Sequence, residues 1–462
     1  MLARLPANIP ERTQFPAQRE HWPRLPAAIQ LLSMISLLLA ALLFFNVSSS
    51  SSPTAVEQLT DLRQQANAAR KAGDHAARLQ AVLKVQRLLN DTPDATLAAA
   101  HAYAEAGDAA HALAALERFA QLGQVDEALL SGTDRSFATM QDRPEYKRIL
   151  QRLAANKRPI SQGEMAFMLP DPGILAEDIA YDPRSNTFLI TSVLEKKILR
   201  VTFDGRAATD FATSPSQWPM MAVKVDPVRN LVWATEVALD GFTQVPKSDW
   251  GRSALVCFDL RTGAVVRRIE GPAKSALGDM ALTPEGVPIV SDGDGGGIYR
   301  VVDGRLQLIN GRDFISPQTP EVLADGEHVL VPDYARGIGL LDLKTSQVAW
   351  LNQQQGNQAR GIDVALNGID GLYFNRGSLI LTQNGTSPER VIRLRLNPSL
   401  TRVVSQEIIE QATTTLGDPT HGVIVADYFY YIANSGWSEL DQHGDVKPGS
   451  KLTPARLMRF TL

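Results

Sequence analysis

Between Glu177 and the C-terminus one phrase recurs six times: a short apolar run, a tight turn marked by Pro, Gly or an acid, then a second apolar run. The openings are EDIAYDPRSNTFLITSV from Glu177, MAVKVDPVRNLVWATEV from Met221, GDMALTPEGVPIVSDG from Gly278, PEVLADGEHVLVPDY from Pro320, IDGLYFNRGSLILTQNG from Ile369 and THGVIVADYFYYIANSG from Thr420. Each reads as two short strands joined by a turn in which Pro fixes φ or Gly supplies a positive one. Third strands follow in most units, such as SALVCFDL to Leu260 and VIRLRL to Leu396. The openings stand 42 to 57 residues apart, a period that suits blades arranged radially, whose sheets keep their edges short and protected. A mainly β fold, a six-bladed β-propeller over residues 163–462, is therefore expected; a six-hairpin sandwich or two separate sheets is the alternative. GEMAFMLP, from Gly163 to Pro170, precedes the first blade and is placed to complete the last sheet beside ARLMRFTL, closing the ring.

The chain before the ring changes character three times. After a cytoplasmic segment (1–26), Ala27 to Phe45 carries no charge over 19 residues, within the roughly 17 to 25 needed to cross a bilayer as a helix. Arg4, Arg12, Arg19 and Arg24 precede it, and no Lys or Arg lies between Asn46 and Leu62. The positive-inside bias then predicts a single-pass signal anchor (27–46) in the inner membrane, with the remaining domains periplasmic or extracellular; a cleaved signal peptide is the competing reading. A Ser-rich linker (47–53) follows. From 54 to 158 the sequence is Ala-rich with helical periodicity, and Gly107-Asp108 repeats Gly73-Asp74 after 34 residues, the tetratricopeptide period. So short an α-helical array cannot bury a core alone and is expected to lean on the propeller or on a protein partner.

A formal charge of −4 without a basic stripe speaks against nucleic acid. The single Cys257 lies in an alternating strand and reads as a core residue. The glycine-rich GDGGG from Gly293 lacks a following helix or Lys and reads as a loop. Asp182, Asp226 and Asp325 fall in hairpin turns, where short acids cap the backbone.

Chemistry is expected where each innermost strand begins, on the face that also carries the loop between second and third strands. Glu177, Asp178, Asp279, Glu321, Asp370 and His421 gather at the strand starts, with Asn384 and Asn434 among the loop residues beyond. Two like charges about 4 Å apart cost roughly 4 kcal/mol at an effective dielectric of about 20, so such a ring calls for a cation. A hard divalent ion, calcium in particular, suits oxygen ligands without cysteine. The two longest loops, 236–252 and 436–453, carry Phe242, Trp250 and Trp437, placed to wall a pocket.

From Leu169 to Leu462 the sequence resembles the regucalcin, gluconolactonase and luciferin-regenerating enzyme group, six-bladed propellers that hold calcium or another divalent ion and hydrolyse lactones. Glu177 in AEDIAYDP matches that group's first-blade Glu ligand, and Asp370 in GIDGLYFNRGSLILTQNG matches its Asp ligand and acid/base. Where the group has two Asn ligands this chain has Gly278 before Asp279 and Pro320 beside Glu321. The resemblance implies an ion held by Glu177 and Asp370, with Asp279 or Glu321 replacing the Asn ligands, that polarises a lactone or ester carbonyl. Asp370 or His421, the one His at an inner strand start, would take a proton from water. The alternative is a non-catalytic propeller that binds or scaffolds an envelope partner.

Overall fold

The computed structural model describes residues 52–352 and 362–462. The expected membrane-spanning segment and the arginines before it lie outside the described residues. Among the described residues no helix is long and apolar enough to cross a membrane.

Six antiparallel sheets form in chain order, and all six phrases found in the sequence supply the first two strands of a sheet. The innermost strands are Ala176–Asp182, Met220–Asp226, Leu277–Leu282, Glu321–Val322, Ile369–Asn375 and Gly422–Val425. Each packs against the next, and the last returns to the first, so the sheets close a six-bladed ring. The sixth sheet takes its outermost strand, Glu164–Met168, from before the first blade, paired to Arg456–Thr461. The fifth gains an extra edge strand, Ile160–Ser161, on Val403–Gln411.

The turns form for local reasons. Asp182 accepts from the Arg184 amide at 3.0 Å and from the Ser185 hydroxyl at 2.6 Å; Asp226 and Asp325 cap their own turns through the amides of Arg229 and Glu327. Between blades, apolar faces interleave. Phe188 stacks on Phe203 at 5.4 Å and meets Tyr430 of the sixth blade at 5.3 Å, burial that stabilises by about 1.5–3 kcal/mol per large side chain.

One column of residues stitches the ring. The fifth residue of each second strand, or its equivalent, is Thr191, Thr235, Ser291, Pro332, Thr382 or Ala433. The four hydroxyls each donate to a carbonyl in, or just before, the inner strand of the following blade: Thr191 to Met221, Thr235 to Gly278, Ser291 to Gln318 and Thr382 to Thr420. Pro332 and Ala433 cannot, so the seams from blade four to five and from six to one lack this bond. The carbonyls left over belong to Asp370 and Glu177. The first accepts from the Thr319 amide at 3.4 Å, the second from His421 Nδ1 at 2.8 Å.

Ahead of the ring lie helices α1 (Ala55–Ala72), α2 (His75–Leu88), α3 (Pro93–Glu105), α4 (Ala109–Gln121), the short α5 (Glu127–Leu130) and α6 (Pro144–Asn156). A capping box of Thr54 and Glu57 starts α1. The α1–α2 and α3–α4 joints are alike: Gly73 and Gly107 take φ of 70° and 80°, and Asp74 and Asp108 then cap α2 and α4 through the amides of Ala77 and His111. A left-handed C′ residue is where glycine carries no steric cost. Ala99, Ala100 and Ala112 are fully buried and let the helices approach closely.

These helices lean on the ring, on the face that carries the loops between second and third strands. Asn90 donates to Arg336 O at 3.1 Å, the Val125 amide to Ser387 O at 2.6 Å and the Ala55 amide to Arg312 O at 2.7 Å. Arg390 is buried at this junction, its Nε on Gln383 at 2.9 Å and one terminal nitrogen 3.0 Å from where a Cβ on Gly123 would sit. Burial pushes its guanidinium down to about 10.

Candidate functional site

Four of the inner strands begin with a bulge: the pairing register slips between Ala176 and Ile179, Met220 and Val223, Leu277 and Asp279, and Ile369 and Gly371. A bulge breaks the strict alternation of side chains and re-aims neighbours. Consecutive residues such as Glu177 and Asp178 can thus both serve the top of the channel.

Glu177, Asp370 and His421 come together there, one possible ligand atom from each lying within 4.8 Å of the others, and all three are buried. Each is held by a specific partner. Trp437 donates its indole N–H to Glu177 Oε2 at 2.6 Å, and Asn384 donates to Asp370 Oδ2 at 2.6 Å while accepting from the Tyr334 hydroxyl at 3.0 Å. His421 Nδ1 faces the Glu177 carbonyl oxygen, which can only accept, so Nδ1 carries a proton. Its Nε2 lies 2.6 Å from Asp279 Oδ1 but off the line of a good hydrogen bond, and remains without a well-directed partner.

The electrostatics follow from burial. Burial first, and then repulsion from Asp370, pushes Glu177 up to about 8. Asp370 is likewise raised by burial, against the pull of His421. Burial disfavours the imidazolium of His421, yet Asp279, Asp178 and Asp370 together outweigh it and hold the ring well above its ordinary range.

The expected site residues divide into groups. Asp279 sits beside the cluster rather than in it, accepting from the Thr319 hydroxyl at 3.2 Å and lying against His421. Asp178 is wholly buried and taken up by structure, bonding the Val223 amide at 2.8 Å and the Lys224 ammonium. Glu321 is not with the others: it stands two positions past Thr319 on its strand, one layer further down the channel, level with Lys224 and Tyr373. Its expected role as a ligand beside Glu177 and Asp370 is therefore corrected by register, since two residues along a strand are about 6–7 Å.

The loop residues also separate. Asn384 belongs to the site, whereas Asn434 bonds Pro454 O at 3.2 Å and the Arg456 amide at 2.7 Å, a clamp on the chain entering the last strand. Trp437 covers Glu177 and packs near Phe242 at 6.3 Å. Trp250 donates to Val245 O inside its own loop and, like Trp437, packs against the apolar cluster beneath it. The sequence reading did not single out Lys224, Thr319, Tyr334 or Tyr373. Lys224 had a signal, a lysine inside the apolar inner strand MAVKVDP.

Burial also pushes the Glu321 carboxyl up to about 7, against a backbone hydrogen bond from Phe374 and the charge of Lys224. The folded state then holds this proton more tightly than the unfolded chain, so stability is lost as pH climbs from about 4.5 through 7. Glu321→Gln should be neutral near pH 5 and stabilising by about 1–2 kcal/mol near pH 8, allowing for solvent in the channel. Denaturant melts at the two pH values check this; an equal effect at both would refute the burial account.

Comparison with family models and with curated proteins finds no match. Among solved structures, the chain is similar to regucalcin, a calcium-binding protein from Agrobacterium tumefaciens, at 17% identity and a TM-score of 0.43, covering 64% of this chain and 93% of that one. A luciferin-regenerating enzyme gives 12%, 0.44, 66% and 95% in the same order. A gluconolactonase from Xanthomonas campestris gives 12%, 0.42, 66% and 99%. The propeller group named from the sequence is thus among the similar structures. At such identities the likeness concerns fold alone, and the ring is read from its own six sheets.

Proposed function

We propose that this chain is a propeller hydrolase of the lactone or ester class that works with a divalent cation. The observation that carries the reading is the buried Glu177–Asp370–His421 cluster, two carboxyls raised by burial beside an imidazole Nε2 without a well-directed partner. Such a group is costly unless a cation or protons offset its charge. The residues fit a divalent ion: Glu177 and Asp370 each keep one carboxylate oxygen outside the hydrogen bonds from Trp437 and Asn384, and His421 offers Nε2 once deprotonated.

Calcium is the expectation from the resemblance. It favours six to eight oxygens, whereas two carboxylates and an imidazole equally suit a first-row ion. When bound, the ion supplies Lewis-acid polarisation of a carbonyl. This chain's residues supply the rest. Asn384 orients Asp370 as the group that takes a proton from water, Asp279 balances His421, and Trp437 with the residues around it shields the site from solvent.

The test is metal content and melting of the purified chain with chelator, calcium, manganese or zinc. An ion at 100 times its dissociation constant should add about 2.7 kcal/mol, and Glu177→Gln/Asp370→Asn should abolish that gain. No shift with any of the ions would sink the reading.

One observation favours the second reading, a non-catalytic module for an envelope partner: the acids are buried on the face that also carries the helices. In that reading α1–α4 act as tetratricopeptide-like units that capture a protein, and 27–46 anchors the chain in the inner membrane with both domains outside the cytoplasm. Turnover of a lactone by the intact chain, lost in the same double variant, separates the two readings.

A further inference from the structure

Below the acids, the next layer of the channel takes one residue from every blade: Ala180, Lys224, Ala281, Glu321, Tyr373 and Val423. Two of the six are alanines, and the space they leave is part of a cavity of about 320 Å³. The wall is mostly apolar, and among the described residues Glu321 is the one carboxylate and Lys224 the one basic group lining it. The two charges are not equivalent. The Lys224 ammonium turns up to the buried Asp178, so its charge is already matched. The Tyr373 hydroxyl receives the Gly422 amide at 2.6 Å. Among the described residues Glu321 has the Phe374 amide and no cation in contact.

We propose that this cavity binds a small organic ammonium ion with an apolar body, its charged head on the Glu321 carboxylate. An anionic ligand would meet Glu321 with no uncommitted cation to offset it. A bare metal ion would find a single carboxylate, too few donors for any common ion. A strongly polar ligand would forfeit hydrogen bonds against the apolar wall. An ammonium head avoids these losses, and the apolar body gains by leaving water. Burial holds the Glu321 proton unusually tightly, and a cation beside the carboxylate would relieve that cost. The site shares no residue with the acidic cluster above it and does not rest on the hydrolase reading.

Calorimetric titration of the full chain in chelator, at about pH 8 where an alkylamine is still charged, tests the proposal. Benzylamine is the probe, and benzyl alcohol is its neutral counterpart of the same shape. Benzylamine should bind with a dissociation constant of about 1 mM or tighter, benzyl alcohol at least tenfold more weakly, and Glu321→Gln should lower benzylamine affinity by tenfold or more. Melting of that variant verifies that it is folded. Equal binding of the two probes, no benzylamine binding up to about 10 mM, or unchanged affinity in the folded variant would overturn the proposal, whatever the metal experiments give.

Discussion

Lys224→Met is expected to destabilise the fold by about 3 kcal/mol, because it strands the wholly buried Asp178 carboxylate without its cation. Two backbone amides, of Ile179 and Val223, still serve that carboxylate, which keeps the loss from being larger. The informative comparison is the double variant Lys224→Met/Asp178→Asn. Removing the charge from both partners should recover much of the loss, as cycles on buried pairs do. Urea unfolding of the single and double variants measures it. If the double variant is no better than Lys224→Met, the loss does not come from a stranded carboxylate charge.

Phe167→Ala should cost about 3–5 kcal/mol, the range for a buried Phe, and should act on the closure of the ring. Phe167 lies in the strand that completes the sixth sheet from the N-terminal side, and its ring meets Phe188 of the first blade at 5.6 Å. Loosening that strand uncovers the edge of Arg456–Thr461. Hydrogen exchange should then rise first in Tyr428–Ile432 and Arg456–Thr461, with the second and third blades protected until global unfolding. Uniform loss of protection around the ring would mean that closure is not where the stability sits.

Much of this architecture was legible because hairpins with fixed turn chemistry repeat on a countable period. Asp182, Asp226 and Asp325 could be set aside as turn caps for the same reason. The site was harder to read. Inner strands that begin with bulges do not alternate, so counting residues along the sequence could not tell that Asp279 neighbours His421 while Glu321 sits a layer lower. Asn384 and Asn434 show a subtler offset. ILTQNG and YIANSG align so that Asn434 matches Gln383, not Asn384; the two amides occupy neighbouring columns, one fastening backbone and the other touching the acid. The tryptophans differed for reasons no motif carries: Trp437 meets Glu177 across 260 positions of chain, and such long-range contacts leave no local trace.

The missing hydroxyls at Pro332 and Ala433 divide the circle into two arcs. Blades one to four are bonded serially through Thr191, Thr235 and Ser291, and blades five and six through Thr382. Glu177 stands at the end of the longer arc, and Asp370 and His421 both ride on the shorter one. Whatever draws these three side chains together, an ion or a shared proton, therefore ties the end of the longer arc to both blades of the shorter one across the seam between blades six and one, where the His421 contact to the Glu177 carbonyl stands in for the absent hydroxyl.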